Sequence, residues 1–410
     1  MTTTFPAFDT AHRHDPYPAF ALVREATPAH PLQLGDVPVT VFTRYAECAA
    51  ILASPDWGHG YQAGISPFRD TGALIPGSFV RMDPPDHSRF RSLVNKAFTP
   101  RVVAALAPMV ERVVDDLLDT ALARDEFDVL ADLAVPLALT MIGGRVLGVP
   151  PEERPALRDW ELAIAWGTDP DELLPPDVIT ARGTAARAAF GYFSRLVAQR
   201  RAEPADDLLS ALIAVEEAGD RLTEPELVGI CLLLLVAGME TSINLVGNGV
   251  LALLRHPDQL VLLRERPDLM PAALDEMLRY DLPTQFTIRV ALRDTVVAGQ
   301  RFTRGDGVVV VMAAANRDAA VYPDPDRFDI TRYAVPDPAR RHLGFSLGIH
   351  YCLGAPLARL EAGIAIGALL RRAPNLELAE ENLEHLPSLI HRGLRRLPVR
   401  ARTRTPRANA

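Results

Sequence analysis

The sequence predicts a mainly α-helical fold with a minor β region, and three observations lead there. Apolar residues recur every three or four positions over long stretches, as in Met109–Ala123 (MVERVVDDLLDTALA). Strand signals are few and short: Val39–Phe42, Ile288–Leu292 and Val308–Met312. No run rich in glycine, serine or charge divides the chain and no segment repeats, so it reads as one domain over 1–410. The ends, about 1–14 and 401–410, read as frayed.

Taken in order, the segment Pro55–Pro85 departs from periodicity. It carries Gly58, Gly60, Gly64, Gly72 and Gly77 and reads as a binding loop or lid. Thr223-Glu-Pro-Glu226 is a helix start, with threonine as N-cap and an acidic first turn. The apolar run that follows, Leu227–Met239, is bounded by Glu226 and Glu240 and is too short to span a bilayer. Met270–Tyr280 reads as another short helix.

Composition narrows the function classes. A net charge of −9 gives no electrostatic reason for nucleic-acid binding. Three cysteines, Cys48, Cys231 and Cys352, make no disulfide framework and fit a reducing compartment. The first residues lack the basic and apolar regions of a signal peptide. The chain therefore reads as a soluble, cytoplasmic protein with neither a membrane nor a nucleic acid as partner. Lys96 is the only lysine beside a large arginine complement, as a GC-rich bacterial coding bias produces.

Most free cysteines are small buried core residues, and Cys48 and Cys231 fit that description. Cys352 stands apart. It lies in Phe345-Ser-Leu-Gly-Ile-His-Tyr-Cys-Leu-Gly354, with Gly348 upstream allowing a sharp turn and a helical pattern beginning just downstream at Ala355-Pro356. Backbone N–H groups and the helix dipole at such a start stabilise a thiolate. Three other segments are unusual. In Ala237-Gly-Met-Glu240-Thr241 an acid and a hydroxyl interrupt the apolar helix, with Ala237 and Thr241 one turn apart. Glu276 and Arg279 stand at i,i+3 on a helix, followed by Pro325-Asp-Arg327-Phe. His87 and Arg91 share a helix face at i,i+4.

Together these segments resemble the cytochrome P-450 family: the cysteine segment its F-G-x-G-x-H-x-C-x-G signature, the others its A-G-x-[DE]-T, E-x-x-R and H-x-x-x-R motifs. The resemblance extends from about Asp15 to Arg400. The single departure is Ser346 at the first glycine, a substitution expected to be tolerated if that position needs no positive φ. The resemblance implies a triangular, mainly α domain, many helices around a haem b, with Cys352 as the ligand of the metal. It implies that His87, Arg91, Arg289 and His350 hold the haem propionates, a sensible donor set for two carboxylates. It places Ala237 beside the oxygen site, with Glu240 and Thr241 controlling protons. Glu276 and Arg279, joined by Arg327, would form a structural network. The activity implied is monooxygenation of an apolar organic substrate, in bacterial secondary metabolism such as macrolide, polyketide or terpenoid tailoring. Substrate-facing residues are expected in 55–80, 163–179, 233–241, 284–288 and 389–390. Neither a dinucleotide fingerprint nor an iron–sulfur spacing occurs, so electrons are expected from NAD(P)H through a separate ferredoxin and ferredoxin reductase. Two other readings fit parts of the pattern. A catalytically silent helper protein would tend to lack the cysteine or the acid–threonine pair, and a peroxide-driven haem enzyme would replace the threonine region.

Overall fold

A computed structural model describes residues 5, 12–68, 75–217, 220–335 and 340–401; most of both ends and Gly72 lie outside these. Helices dominate. The longest, Glu224–Arg255, starts where expected: the Thr223 hydroxyl accepts from the third helical N–H, the Glu226 carboxylate accepts from the Thr223 N–H, and Pro225 sits in the first turn. It runs well past the apolar stretch seen in the sequence and ends at His256, before Pro257. In length and composition it is apolar enough to cross a membrane. Most of its surface is nonetheless covered by protein: it packs against the helices Arg154–Trp166, Pro176–Ala202, Met270–Tyr280 and Ala355–Arg372. This helix is the axis of the molecule.

Met270–Tyr280 forms with the expected bounds, and the periodic segment near Met109 is the helix Ala107–Ala121. The latter presents Val110, Val114 and Leu118 to the core and its acids to solvent. The irregular segment crosses the start of the central helix, where Gly229 permits the approach. A Cβ there would sit 1.6 Å from the Pro76 carbonyl oxygen.

The principal sheet has five strands in the order His30–Leu34, Val37–Phe42, Gly307–Val310, Thr287–Ala291, Trp57–Gly58. Gly307–Val310 runs parallel to Val37–Phe42 and antiparallel to Thr287–Ala291. As a central strand it is buried throughout, which explains its unbroken valines. Met312, expected in this strand, opens the short helix Met312–Ala315 instead. Pairing of Trp57 with Ala291 and Gly58 with Val290 ties the irregular segment to a distant strand. A second sheet joins Leu376–Leu378, Pro398–Ala401 and Glu126–Asp128.

Candidate active site

Cys352 sits at the end of a compact loop. Its N–H donates to the Phe345 carbonyl at 2.9 Å, closing the loop, and the helix Ala355–Arg372 begins three residues later with Gly354 as N-cap and Pro356 in its first turn. Gly348 has φ +65°, and a Cβ there would meet the Leu52 carbonyl oxygen at 2.7 Å. Both the conformation and the space call for glycine. Ser346 does not escape the same demand. It adopts φ +59° and ψ −172°, a region essentially reserved for glycine, so the condition under which serine would be tolerated here is not met. Its hydroxyl oxygen is buried without a partner.

Of the three cysteines, Cys48 and Cys231 are sealed by protein whereas Cys352 retains accessible surface, although it lies deep in the chain. Burial pushes its thiol pKa up. The N–H groups of Gly354 and Ala355 and the cations Arg91 and Arg359 pull the other way. The expected helix-start donors are therefore present, opposed by desolvation.

The four expected propionate donors converge. His87 opens the helix Asp86–Ala97, Arg91 follows one turn on, Arg289 lies on the strand Thr287–Ala291, and His350 stands in the cysteine loop. The His87 and His350 rings lie 4.4 Å apart between centroids. Arg289 is buried and donates to the Thr287 hydroxyl at 2.9 Å and the Ile288 carbonyl at 2.7 Å. Its desolvation pushes its pKa down to about 10, and burial together with Arg289, His87 and Arg91 pushes His350 down to about 2.

A fifth member was not legible in any motif. His59 is buried, with its ring 5.0 Å from His350 and stacked near Tyr61. Burial first, then Arg289, His350, Arg81 and His87, push its pKa well down. The strand pairing at Trp57–Gly58 carries it there, and the only sequence signal was membership of the irregular segment. His59 Nε2, His87 Nδ1 and His350 Nε2 are all buried with no hydrogen-bond partner. Among the described residues, Asp83 is the one carboxylate among the charges acting on this group, and it already accepts from the His59 and Gly60 N–H groups. Orphaned imidazole nitrogens and partly uncompensated guanidinium groups fit a dianionic ligand, so this donor set suits the two propionates of a haem.

On the central helix, Ala237 is exposed and Thr241 half-buried, between turns that are otherwise covered. The Thr241 hydroxyl donates to the Ala237 carbonyl at 2.8 Å, leaving its oxygen lone pairs to accept from a ligand. Glu240 is buried and pinned by Arg158 Nη1 at 2.8 Å. The same nitrogen donates to Glu161 at 2.5 Å.

Glu276 and Arg279 are wholly buried and joined by two hydrogen bonds of 2.7 and 2.8 Å. The expected third partner is corrected: Arg332, not Arg327, reaches Glu276, at 3.2 Å. Arg327 contributes its backbone carbonyl, which accepts from Arg279 and Arg332, while the residue is exposed. The chain turns at Asp329–Thr331, where the Asp329 N–H donates to Glu276, and this brings the later arginine round. Asn316 links the network to the cysteine loop by donating to the Leu278 carbonyl and accepting from the Leu343 N–H.

Two segments expected to face a substrate meet at Asp169. Its carboxylate accepts from the Ser388 hydroxyl at 3.0 Å and from the N–H groups of Leu389 and Ile390 at 2.8 and 2.9 Å.

The family model for cytochrome P450 matches residues 174–382. The chain is 41% identical to the cytochrome P450 monooxygenase PikC of Streptomyces venezuelae, over 95% of this chain and 91% of that protein. It is 40% identical to the vitamin D(3) 25-hydroxylase of Pseudonocardia autotrophica, over 94% and 93%. The solved structure of the bacillaene polyketide synthase cytochrome P450 PksS of Bacillus subtilis 168 superposes with a TM-score of 0.88 at 34% identity, covering 98% of this chain and all of that one.

Proposed function

The chain belongs to the cytochrome P450 family and is a monooxygenase, and we propose that Cys352 is the thiolate ligand of its haem. His87, Arg91, Arg289 and His350, with His59 beside them, would hold the propionates. The observation that carries this reading is Cys352 itself, alone among the cysteines in keeping open surface. The bound haem supplies electron transfer and the activation of dioxygen, leading to insertion of one oxygen atom into the substrate.

The protein's own residues orient the reactants and handle protons. Ala237 leaves open surface on the central helix one turn before Thr241, where a small ligand would fit. Thr241, its proton engaged by the Ala237 carbonyl, accepts a hydrogen bond at its oxygen. Glu240 holds and releases protons from the covered side of the same helix. The Glu276–Arg279–Arg332 network positions the cysteine loop and takes no part in the chemistry. The substrate is an apolar molecule of bacterial secondary metabolism, of polyketide, macrolide or terpenoid type, a reading supported by the similarity to the polyketide synthase cytochrome P450 PksS. Electrons come from NAD(P)H through a ferredoxin and its reductase in the cytoplasm. The match over nearly the whole of the relatives' length supports reading the chain as a single domain.

The test is the reduced carbon monoxide spectrum. The protein should show the red-shifted Soret band of thiolate ligation, and Cys352→His should lose it, while Cys48→Ala and Cys231→Ala keep it. A normal thiolate band in Cys352→His refutes the assignment.

A further inference from the structure

Glu161 is a second carboxylate that the family motifs do not account for. It lies on the helix Arg154–Trp166, one turn after Arg158, and is completely buried. Arg158 Nη1 donates to Glu161 Oε2 at 2.5 Å and to Glu240 Oε2 at 2.8 Å, so two carboxylates flank one nitrogen. Glu240 is 1% exposed and Arg158 19%. The other Glu161 oxygen, Oε1, is buried with no partner.

Charge counting makes this arrangement informative. Two ionised carboxylates on one guanidinium leave an excess negative charge inside the protein, and burying an uncompensated charge is far costlier than holding a proton. Among the described residues, Arg158 from the same helix and His391 from the C-terminal segment act electrostatically on the pair, and His391 also senses Asp169. Burial pushes the His391 pKa down, so it does not supply the missing positive charge. A single proton held on the carboxylate pair removes that excess charge.

We propose that Glu161 is the proton store for Glu240, acting through it as a positioning residue. In the transfer, relayed by a water molecule between the two side chains, the Glu161 O–H bond breaks, the water passes on one of its own protons, and a Glu240 O–H bond forms. Glu161 becomes the carboxylate, and the negative charge moves from one side of Arg158 to the other. The replacement proton is a hydronium proton from bulk solvent, which reaches the cluster at Arg158, the one member with appreciable accessible surface. The direction agrees with the individual groups: burial, then the neighbouring Glu240, raise the Glu161 pKa above the ordinary carboxylic range.

This inference rests on Glu240 serving the proton supply of the monooxygenase, and its test has one arm that needs no turnover. Infrared difference spectra of the ferric holoprotein are recorded against pH in a Glu361→Gln background, which silences another buried acid. A protonated-carboxyl C=O band should be present at neutral pH, fade as pH rises, and vanish in Glu161→Gln. The second arm measures product formed per NAD(P)H consumed. Coupling in the unmodified enzyme should fall over the pH range in which the band fades, and Glu161→Gln should be several-fold less coupled and independent of pH there. Glu161→Asp should restore part of the pH dependence. A pH-titrating band unchanged by Glu161→Gln, or coupling in that variant with the wild-type pH profile, overturns the proposal. If the protein turns over no substrate at all, the monooxygenase reading fails while the band still decides whether the pair holds a proton.

Discussion

Replacing Ser346 with glycine should stabilise the holoprotein. Serine at φ +59° and ψ −172° carries a backbone strain of about 1–3 kcal/mol. Its buried, unpartnered hydroxyl adds a desolvation penalty of similar size, about 1 kcal/mol or more. Against this, glycine loses more conformational freedom on folding, at a cost of about 0.5–1 kcal/mol. The net gain is about 2 kcal/mol. With an unfolding entropy of about 2 cal/mol/K per residue, a chain of 410 residues should melt about 2–3 °C higher. The assay is a thermal melt of the ferric holoprotein, read in parallel by helix circular dichroism and by the Soret band. Ser346→Ala separates the two contributions, because it removes the hydroxyl and keeps the Cβ that causes the strain. Glycine should exceed wild type and exceed alanine by about 1.5 °C. A glycine variant that melts at or below the alanine variant refutes the strain argument.

Three further outcomes are expected. Arg332→Ala should destabilise the protein by about 3 kcal/mol by removing one partner of buried Glu276, whereas Arg327→Ala should change little, within about 0.5 kcal/mol. Denaturant unfolding and the yield of holoprotein read both, and equal losses in the two would restore Arg327 as the third partner. Glu361 is fully buried with an unpartnered oxygen, and burial pushes its pKa from 4.5 up to about 8. The folded state then retains a proton that the unfolded chain releases, so stability should fall as pH rises from roughly 4.5 to 8, by up to about 1.4 kcal/mol per pH unit. Glu361→Gln should remove that slope in urea titrations across this range, and an unchanged slope would exclude Glu361 as its source. Replacement of His59 by phenylalanine should speed haem transfer to an acceptor protein several-fold while the reduced carbon monoxide band stays that of a thiolate; unchanged transfer would remove His59 from the propionate group.

What could be read from the chain alone was local in physical origin. The capping box at Thr223–Glu226, the proline and glycine around Cys352 and the 3.6-residue spacing of Val110, Val114 and Leu118 each act within a few residues, where backbone sterics and hydrogen bonds dominate. The mainly helical class, the start of the central helix, Met270–Tyr280 and the singular status of Cys352 were legible for that reason. The conformation at Ser346 was not, since a positive φ there is imposed by closure of the loop and serine gives no sign of it. The remaining site features depend on which distant segments pack together. His59 joins His350 only because Trp57–Gly58 pairs with Val290 and Ala291. Arg332 displaces Arg327 only because the chain turns beneath Glu276. Glu240 meets Arg158 and Glu161 only where one helix crosses another. Each of these groups changes its charge balance when water is excluded, and water is excluded only once the tertiary packing is complete.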